Sequence, residues 1–238
     1  MQILSFLVIL FLLLGLAQGG AEPPAFRGGK IYELNSNKKK LLFTINAKLA
    51  TSSNGHSVFL SSYLDANNEE SLTEEASFKQ LELQRYVIDQ KQLNEIYELK
   101  ITDGKMFFSI TKKGRVEKKT QDLSSGLIIG PSFVPFLQQH WAELQGRKKV
   151  RAQLAVLERM NTYSFEFEKL RDAKSNSVDV VIIRMKPTST LLSAVVRPVY
   201  FTVTSDGSKI LELKGRMLPK RKAGSRWEDV DGEAVFTY

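Results

Sequence analysis

The chain has 238 residues, of which 42% are hydrophobic and 25% charged. That balance excludes a disordered or fibrous chain, and the length suits one β domain of about 200–250 residues with a core of real size. Cysteine is absent and the net charge is +8, so no disulfide supports the fold, a lipid-anchored bacterial lipoprotein is excluded, and anionic surfaces are the favoured partners.

The chain opens with an apolar run at residues 3–16, broken only by Ser5 and Gly15. Ala17, Gly19, Gly20 and Ala21 follow, then Glu22-Pro23-Pro24. A short apolar core before a small-residue site predicts a secretory signal peptide. Cleavage falls after Gly19 or Ala21, leaving 22–238 as a single domain. The run is shorter than the ~20 apolar residues that an uncleaved spanning helix needs, although its leading segment carries no Lys or Arg. The whole basic excess then stays on an exported mature chain, for which nucleic acid is a poor partner.

Period-2 alternation predicts strands at 41–51, 57–65, 72–78, 81–89, 94–102 and 105–111. In the first, Phe43, Ile45, Ala47 and Leu49 share one face. Asn54-Gly55 and Asp103-Gly104 are hairpin turns, and Lys113-Gly114 turns again. The pattern changes at 123–130, an apolar loop punctuated by glycine. Pro131-Ser132 then opens a helix reaching Gln145, with Ser132 as N-cap and Gly146 beyond its end. Phe133, Phe136, Leu137, His140, Trp141 and Leu144 form its apolar face, and Pro135 is tolerated in the first turn. Strands resume at 147–157, 161–170 and 178–186. Thr188 or Ser189 caps a short helix ending near Val196, before Pro198. Strands at 199–204 and 210–217 flank the turn Ser205-Asp206-Gly207, a basic loop occupies 219–226, and a last strand spans 232–238. The sum is about a dozen strands and two helices, an antiparallel meander.

The residues give no support to catalysis. The two histidines are His56 and His140; without cysteine, zinc would need both together with carboxylates. No G-x-S-x-G, H-E-x-x-H, P-loop or G-x-G-x-x-G is present. Glu69-Glu70 and Glu74-Glu75 lie in and after a turn, where adjacent acids read as solvated surface rather than a glycosidase pair. The expectation is a protein that is not an enzyme and has no cofactor and no metal. Basic clusters occur at 38–40, 112–115, 118–119, 147–151 and 220–222. They read as solvated loop tips or as a polybasic rim against an anionic surface. Arg147, Lys148, Lys149, Lys220, Arg221 and Lys222 are the candidate contacts for such a rim.

The blocks Gly130-Pro131-Ser132-Phe133…Phe136…Trp141…Leu144…Gly146, 150–160 and Tyr163-Ser164-Phe165 resemble a block in uncharacterised exported proteins of Gram-negative bacteria. So do Lys186-Pro187…Leu191-Leu192…Pro198, the strands at 199–204 and 210–215, Ser62-Tyr63-Leu64-Asp65 and Thr73-Glu74-Glu75. These proteins are similar in architecture to the LolA/LolB lipoprotein-sorting proteins. The resemblance implies a mostly β fold, with a curved antiparallel sheet forming an incomplete, half barrel around one central helix and a second short helix. By analogy of fold it also implies a lipid or acyl chain as ligand, lodged between sheet and helix. The lining would be Phe133, Phe136, Leu137, Trp141, Leu191, Leu192 and Val195; the same helix residues serve equally as plain core.

Three readings follow. One is a periplasmic binder of a hydrophobic ligand, with a cavity of about 300 Å3 or more. Another is a cell-envelope structural or interaction protein with a filled core, acting through its basic surface on an anionic membrane or cell-wall surface, or through a sheet edge on a partner protein. The third is an outer-membrane β-barrel, suggested by Ala234, Phe236 and Tyr238 at the end of the chain but opposed by strands without a continuous lipid-facing row.

Overall fold

The structure, a computed structural model, describes residues 26–51, 55–80 and 82–238. The predicted signal peptide and the tip of the first hairpin lie outside them. Eight strands come first: β1 (Gly28–Glu33), β2 (Leu41–Thr51), β3 (His56–Leu64), β4 (Glu70–Lys79), β5 (Glu82–Gln90), β6 (Glu95–Thr102), β7 (Lys105–Lys112) and β8 (Arg115–Asp122). A two-residue strand β9 (Leu127–Ile128) leads to helices α1 (Phe133–Gln139) and α2 (Trp141–Gln145). Then come β10 (Val150–Val156), a 3-10 turn (Leu157–Arg159), β11 (Asn161–Ser175) and β12 (Val178–Pro187). Helix α3 (Thr190–Ser193), β13 (Val199–Thr204), β14 (Ile210–Ala223) and β15 (Arg226–Thr237) complete the chain.

The fifteen strands of the described residues form one open sheet in the order β8-β7-β6-β5-β4-β3-β2-β1-β15-β14-β13-β12-β11-β10-β9. Every pairing is antiparallel except β9 with β10. The two halves of the meander join where the first strand meets the last, from Gly28↔Thr237 to Glu33↔Gly232. That seam is close: a Cβ on Gly29 would stand 2.4 Å from the Val235 carbonyl oxygen of β15, and on the other side of β1 the φ of +146° at Gly28 is open only to glycine.

The six strands expected between 41 and 111 are present within a residue or two of their expected ends. β1 and β8 were not expected. The first opens Gly-Gly-Lys, and β8 reads Arg-Val-Glu-Lys-Lys-Thr-Gln-Asp, an edge strand exposed along nearly all its length, with no buried face to impose alternation. The expected basic loop at 219–226 is instead the far part of a hairpin, with Lys222↔Trp227 and Ala223↔Arg226 in register. The expected helix breaks at His140, where φ is −105° and ψ 15°. Ser132 bonds back to Ile129 rather than capping α1, whereas Ser189 caps α3 by accepting from Leu192 N.

The buried apolar residues fall into two clusters bridged by Leu213 and Phe236. The first lies under β1–β7 and includes Phe43, Ile45, Leu72, Leu99, Met106 and Phe108; Ile129, Leu157, Met217 and Val230 close it. The second packs α1 and α2 on β10–β13. The helices therefore belong to one half of the sheet, not to its centre. The half formed by β1–β8 is covered by the Leu157–Arg159 turn and by the β14–β15 ribbon. Beyond Arg216 and Asp231 that ribbon has no flanking strand among the described residues. It folds inward instead, pinned by the Gln92 side chain, which donates to Lys220 O and accepts from Lys220 N, both at 2.8 Å.

Candidate functional site

Four of the expected ligand-lining residues meet between helix and sheet, and they fill the space. Phe133 stands edge-on to Phe201 with centroids 5.3 Å apart, and Phe136 lies 4.9 Å from Phe167. Leu137 is fully buried beside them. Trp141 donates from Nε1 to Ser205 O (3.2 Å). Its ring covers Gly207, where a Cβ would come within 2.6 Å of it. Leu192 is half-buried, while Leu191 and Val195 face solvent at 84% and 75% exposure, away from this space. His140 is half-buried, tilted against Phe136 with ring centroids 4.9 Å apart, and bonded through Nδ1 to Glu143 (2.8 Å).

Glu74, expected on the surface, is a correction. Alternation along β4 turns it inward with Leu72 and Ala76, and it is 4% exposed. Its carboxylate accepts from Ser61 Oγ (2.8 Å), Tyr63 OH (2.7 Å) and Tyr86 OH (2.5 Å). Burial, with Glu74 beside them, pushes both phenols well above their usual range. Three donors from the two flanking strands make this carboxylate a structural knot that ties β3, β4 and β5 together.

Charge gathers where the ribbon, the 3-10 turn and the end of β6–β8 meet. A cavity of about 380 Å3 there is lined by Leu93, Tyr97, Ile110 and six charged residues, among them Glu95, Lys112, Glu158 and Lys220. Lys112 pairs with Glu95, which also accepts from Tyr97 OH (2.6 Å). Lys220 pairs with Glu158 (3.1 Å) and Asp229 (2.5 Å). Burial raises the Glu95 carboxyl, but Lys112 and Tyr97 outweigh it and hold it below its usual value; Lys220 does the same against burial for Asp229. Burial and then Glu95 push the Tyr97 phenol up.

A carboxylate whose folded pKa is depressed contributes stability above its unfolded pKa and loses it as pH falls through the folded value. For Lys220, raised overall by Asp229 and Glu158 against the opposing effect of burial, the contribution is present below its unfolded value and lost as pH rises through the folded one. The urea midpoint is therefore expected to stay level near neutrality, to fall below about pH 4.5 and to fall again above about pH 10.5. A midpoint unchanged from pH 7 to pH 3 would contradict the ion-paired seam.

The basic clusters are sorted by the meander. Adjacent strands alternate in direction, so the connections at 34–40, 65–69, 91–94, 113–114, 157–160, 188–198 and 224–225 emerge at one end of the sheet. Ion pairs confirm the convergence. Glu33 takes both Lys40 (3.0 Å) and Arg221 (2.8 Å), the latter 188 residues from it in sequence. Lys38 reaches Glu212 (2.5 Å) and Glu233 (3.5 Å). Lys39, Lys113, Arg115, Lys222 and Arg226 are exposed at the same end, and no ion pair among the described residues takes them up. The 65–69 turn, with Asp65 and Glu69, is the acidic exception.

Of the six candidate surface contacts, Arg221 and Lys222 belong to this end. Lys220 does too, but its side chain is turned inward at 15% exposure. Lys149 is occupied by Glu166 (2.9 Å) and Glu168 on the outer face. Arg147 and Lys148 follow α2, and no ion pair among the described residues joins them to the group. The gathering of 38–40, 112–115 and 220–222 is not visible in sequence because it depends on which strands run parallel to which.

No family model matches the chain, and no curated protein matches it. Among solved structures it is similar to the crystal structure of a β-barrel-like protein of the domain of unknown function DUF1849 from Brucella abortus. The two are 8% identical with a TM-score of 0.43, over 89% of this chain and 93% of that one. A likeness at that level fixes neither the details of the fold nor the function.

Proposed function

We propose that the chain is an exported, non-enzymatic protein of the cell envelope, most simply periplasmic, that acts through a basic end of its β-sheet on an anionic surface. The observation that carries this reading is the convergence of three basic segments, far apart in sequence, around Glu33, Glu95 and Asp229. The filled space under α1 and α2 weighs for it and against an acyl chain lodged there. Outward mid-strand ion pairs such as Arg85–Glu98 (2.5 Å) and Lys186–Glu166 (3.7 Å) suit contact with water better than with lipid tails. No helix among the described residues is long and apolar enough to cross a membrane.

The reading predicts a directional effect of charge. Retention of the mature protein on a heparin column, a soluble polyanion, should fall sharply in a Lys39→Glu, Lys113→Glu, Lys222→Glu triple variant. It should change far less in a Lys79→Glu, Lys105→Glu, Lys174→Glu triple at the opposite hairpin ends, which alters net charge equally. Equal shifts in elution salt for the two triples would mean that only total charge matters, and would remove the basic end as the acting surface.

A further inference from the structure

The basic end also presents apolar side chains. The 188–198 loop is braced by its own hydrogen bonds. Ser189 Oγ accepts from Leu192 N (3.4 Å), Ser193 Oγ donates to Pro187 O (3.2 Å), and Val196 N donates to Leu192 O (2.7 Å). On this turn Leu191 and Val195 stand four residues apart and so share a face, and that face points to solvent while Val196 packs on the second core. At the tip of the ribbon Trp227 is 40% exposed, with the Lys222 ammonium 5.9 Å from its ring centroid.

The two sites belong to one surface. Arg197, two residues past Val195, pairs with Asp231 (3.5 Å), and Asp231, Asp229 and Trp227 alternate along one face of β15. Trp227 therefore lies roughly 13 Å along the strand from the ion pair that anchors the loop. Single exposed apolar residues are ordinary. An exposed Leu–Val pair and a Trp at one end of the sheet, the Trp beside Lys222 and next in sequence to Arg226, are a different matter. A tryptophan ring suits the headgroup level of a bilayer, and lysine and arginine stems lie along apolar surface while their charges stay in water. A purely polar polyanion would gain nothing from the leucine and valine.

We propose that this end docks on an anionic phospholipid bilayer, with Leu191, Val195 and Trp227 entering the interface and the basic turns facing the headgroups. The proposal rests on the surface reading above and names its partner.

The test is co-sedimentation with phosphatidylglycerol–phosphatidylcholine vesicles, against vesicles of phosphatidylcholine alone, together with tryptophan quenching by brominated lipid. Binding to the anionic vesicles is expected, weakened about tenfold or more by Leu191→Ser with Val195→Ser, while heparin retention of that variant stays as in wild type. Both positions are exposed, so the fold should survive the change. Quenching should vanish in Trp227→Phe, because the remaining Trp141 packs over the 205–209 turn. Wild-type vesicle binding by the double variant, or quenching undiminished in Trp227→Phe, would overturn bilayer docking and leave the polyanion reading standing. Loss of end-specific heparin retention would remove both.

Discussion

Phe167→Ala is expected to destabilise the protein by about 3–5 kcal/mol, read from the urea midpoint at constant slope. Phe167 has no exposed surface and stands among Phe133, Phe136 and Phe201, at the point where α1 meets β11 and β13. Removing the ring deletes its transfer free energy and leaves a void that three neighbouring rings cannot close without leaving their rotamers. The same packing carries a functional consequence: a fluorescent fatty acid should find no site in the native protein under the helix. A loss below about 1 kcal/mol, or saturable fatty-acid uptake abolished by Phe136→Trp, would show this space to be a ligand cavity.

Glu74→Ala is expected to cost about as much, roughly 3–5 kcal/mol, for a different reason. The substitution leaves the hydroxyls of Ser61, Tyr63 and Tyr86 buried without their acceptor, at ~1–3 kcal/mol for each one that finds no other. Tyr63→Phe alone removes donor and bond together and should cost only about 1–2 kcal/mol. In the Glu74→Ala background it should cost less still, since the hydroxyl it deletes is by then a liability. That non-additivity distinguishes a coupled knot from three independent contacts. Additive losses would contradict the shared carboxylate.

The contrast between these two sites shows what the sequence reveals. Phe133, Phe136, Leu137 and Trp141 announce themselves by helical spacing, and α1 and α2 bury Phe136 and Leu137 and half-bury Phe133 and Trp141. Glu74 follows a turn and adjoins another acid, so composition places it outside. Only the register of β4 against β3, with Ser61 opposite Glu74, turns it toward three hydroxyls. The strands with a buried face are legible from their alternation, as in β2. β1 and β8 are not, because glycine and charge erase the pattern. The 219–226 stretch reads as a loop since its charges break alternation, and its fold as a ribbon over the first core depends on Gln92, more than a hundred residues away. The basic end is the least legible feature. Lys39, Lys113 and Lys222 come to the same end of the sheet only through strand order, which a single sequence does not state. Leu191 and Val195, expected inside, point out because their turn buries the alternate face at Val196.

Hydrogen–deuterium exchange of the mature protein with and without phosphatidylglycerol vesicles tests the central claim most directly. Protection is expected at 34–40, 113–115, 188–198 and 220–227, with the helices at 133–145 unchanged. Protection confined to 133–145 and to the β11–β13 face beneath it, or spread evenly over both ends of the sheet, would contradict a protein that acts through its basic end.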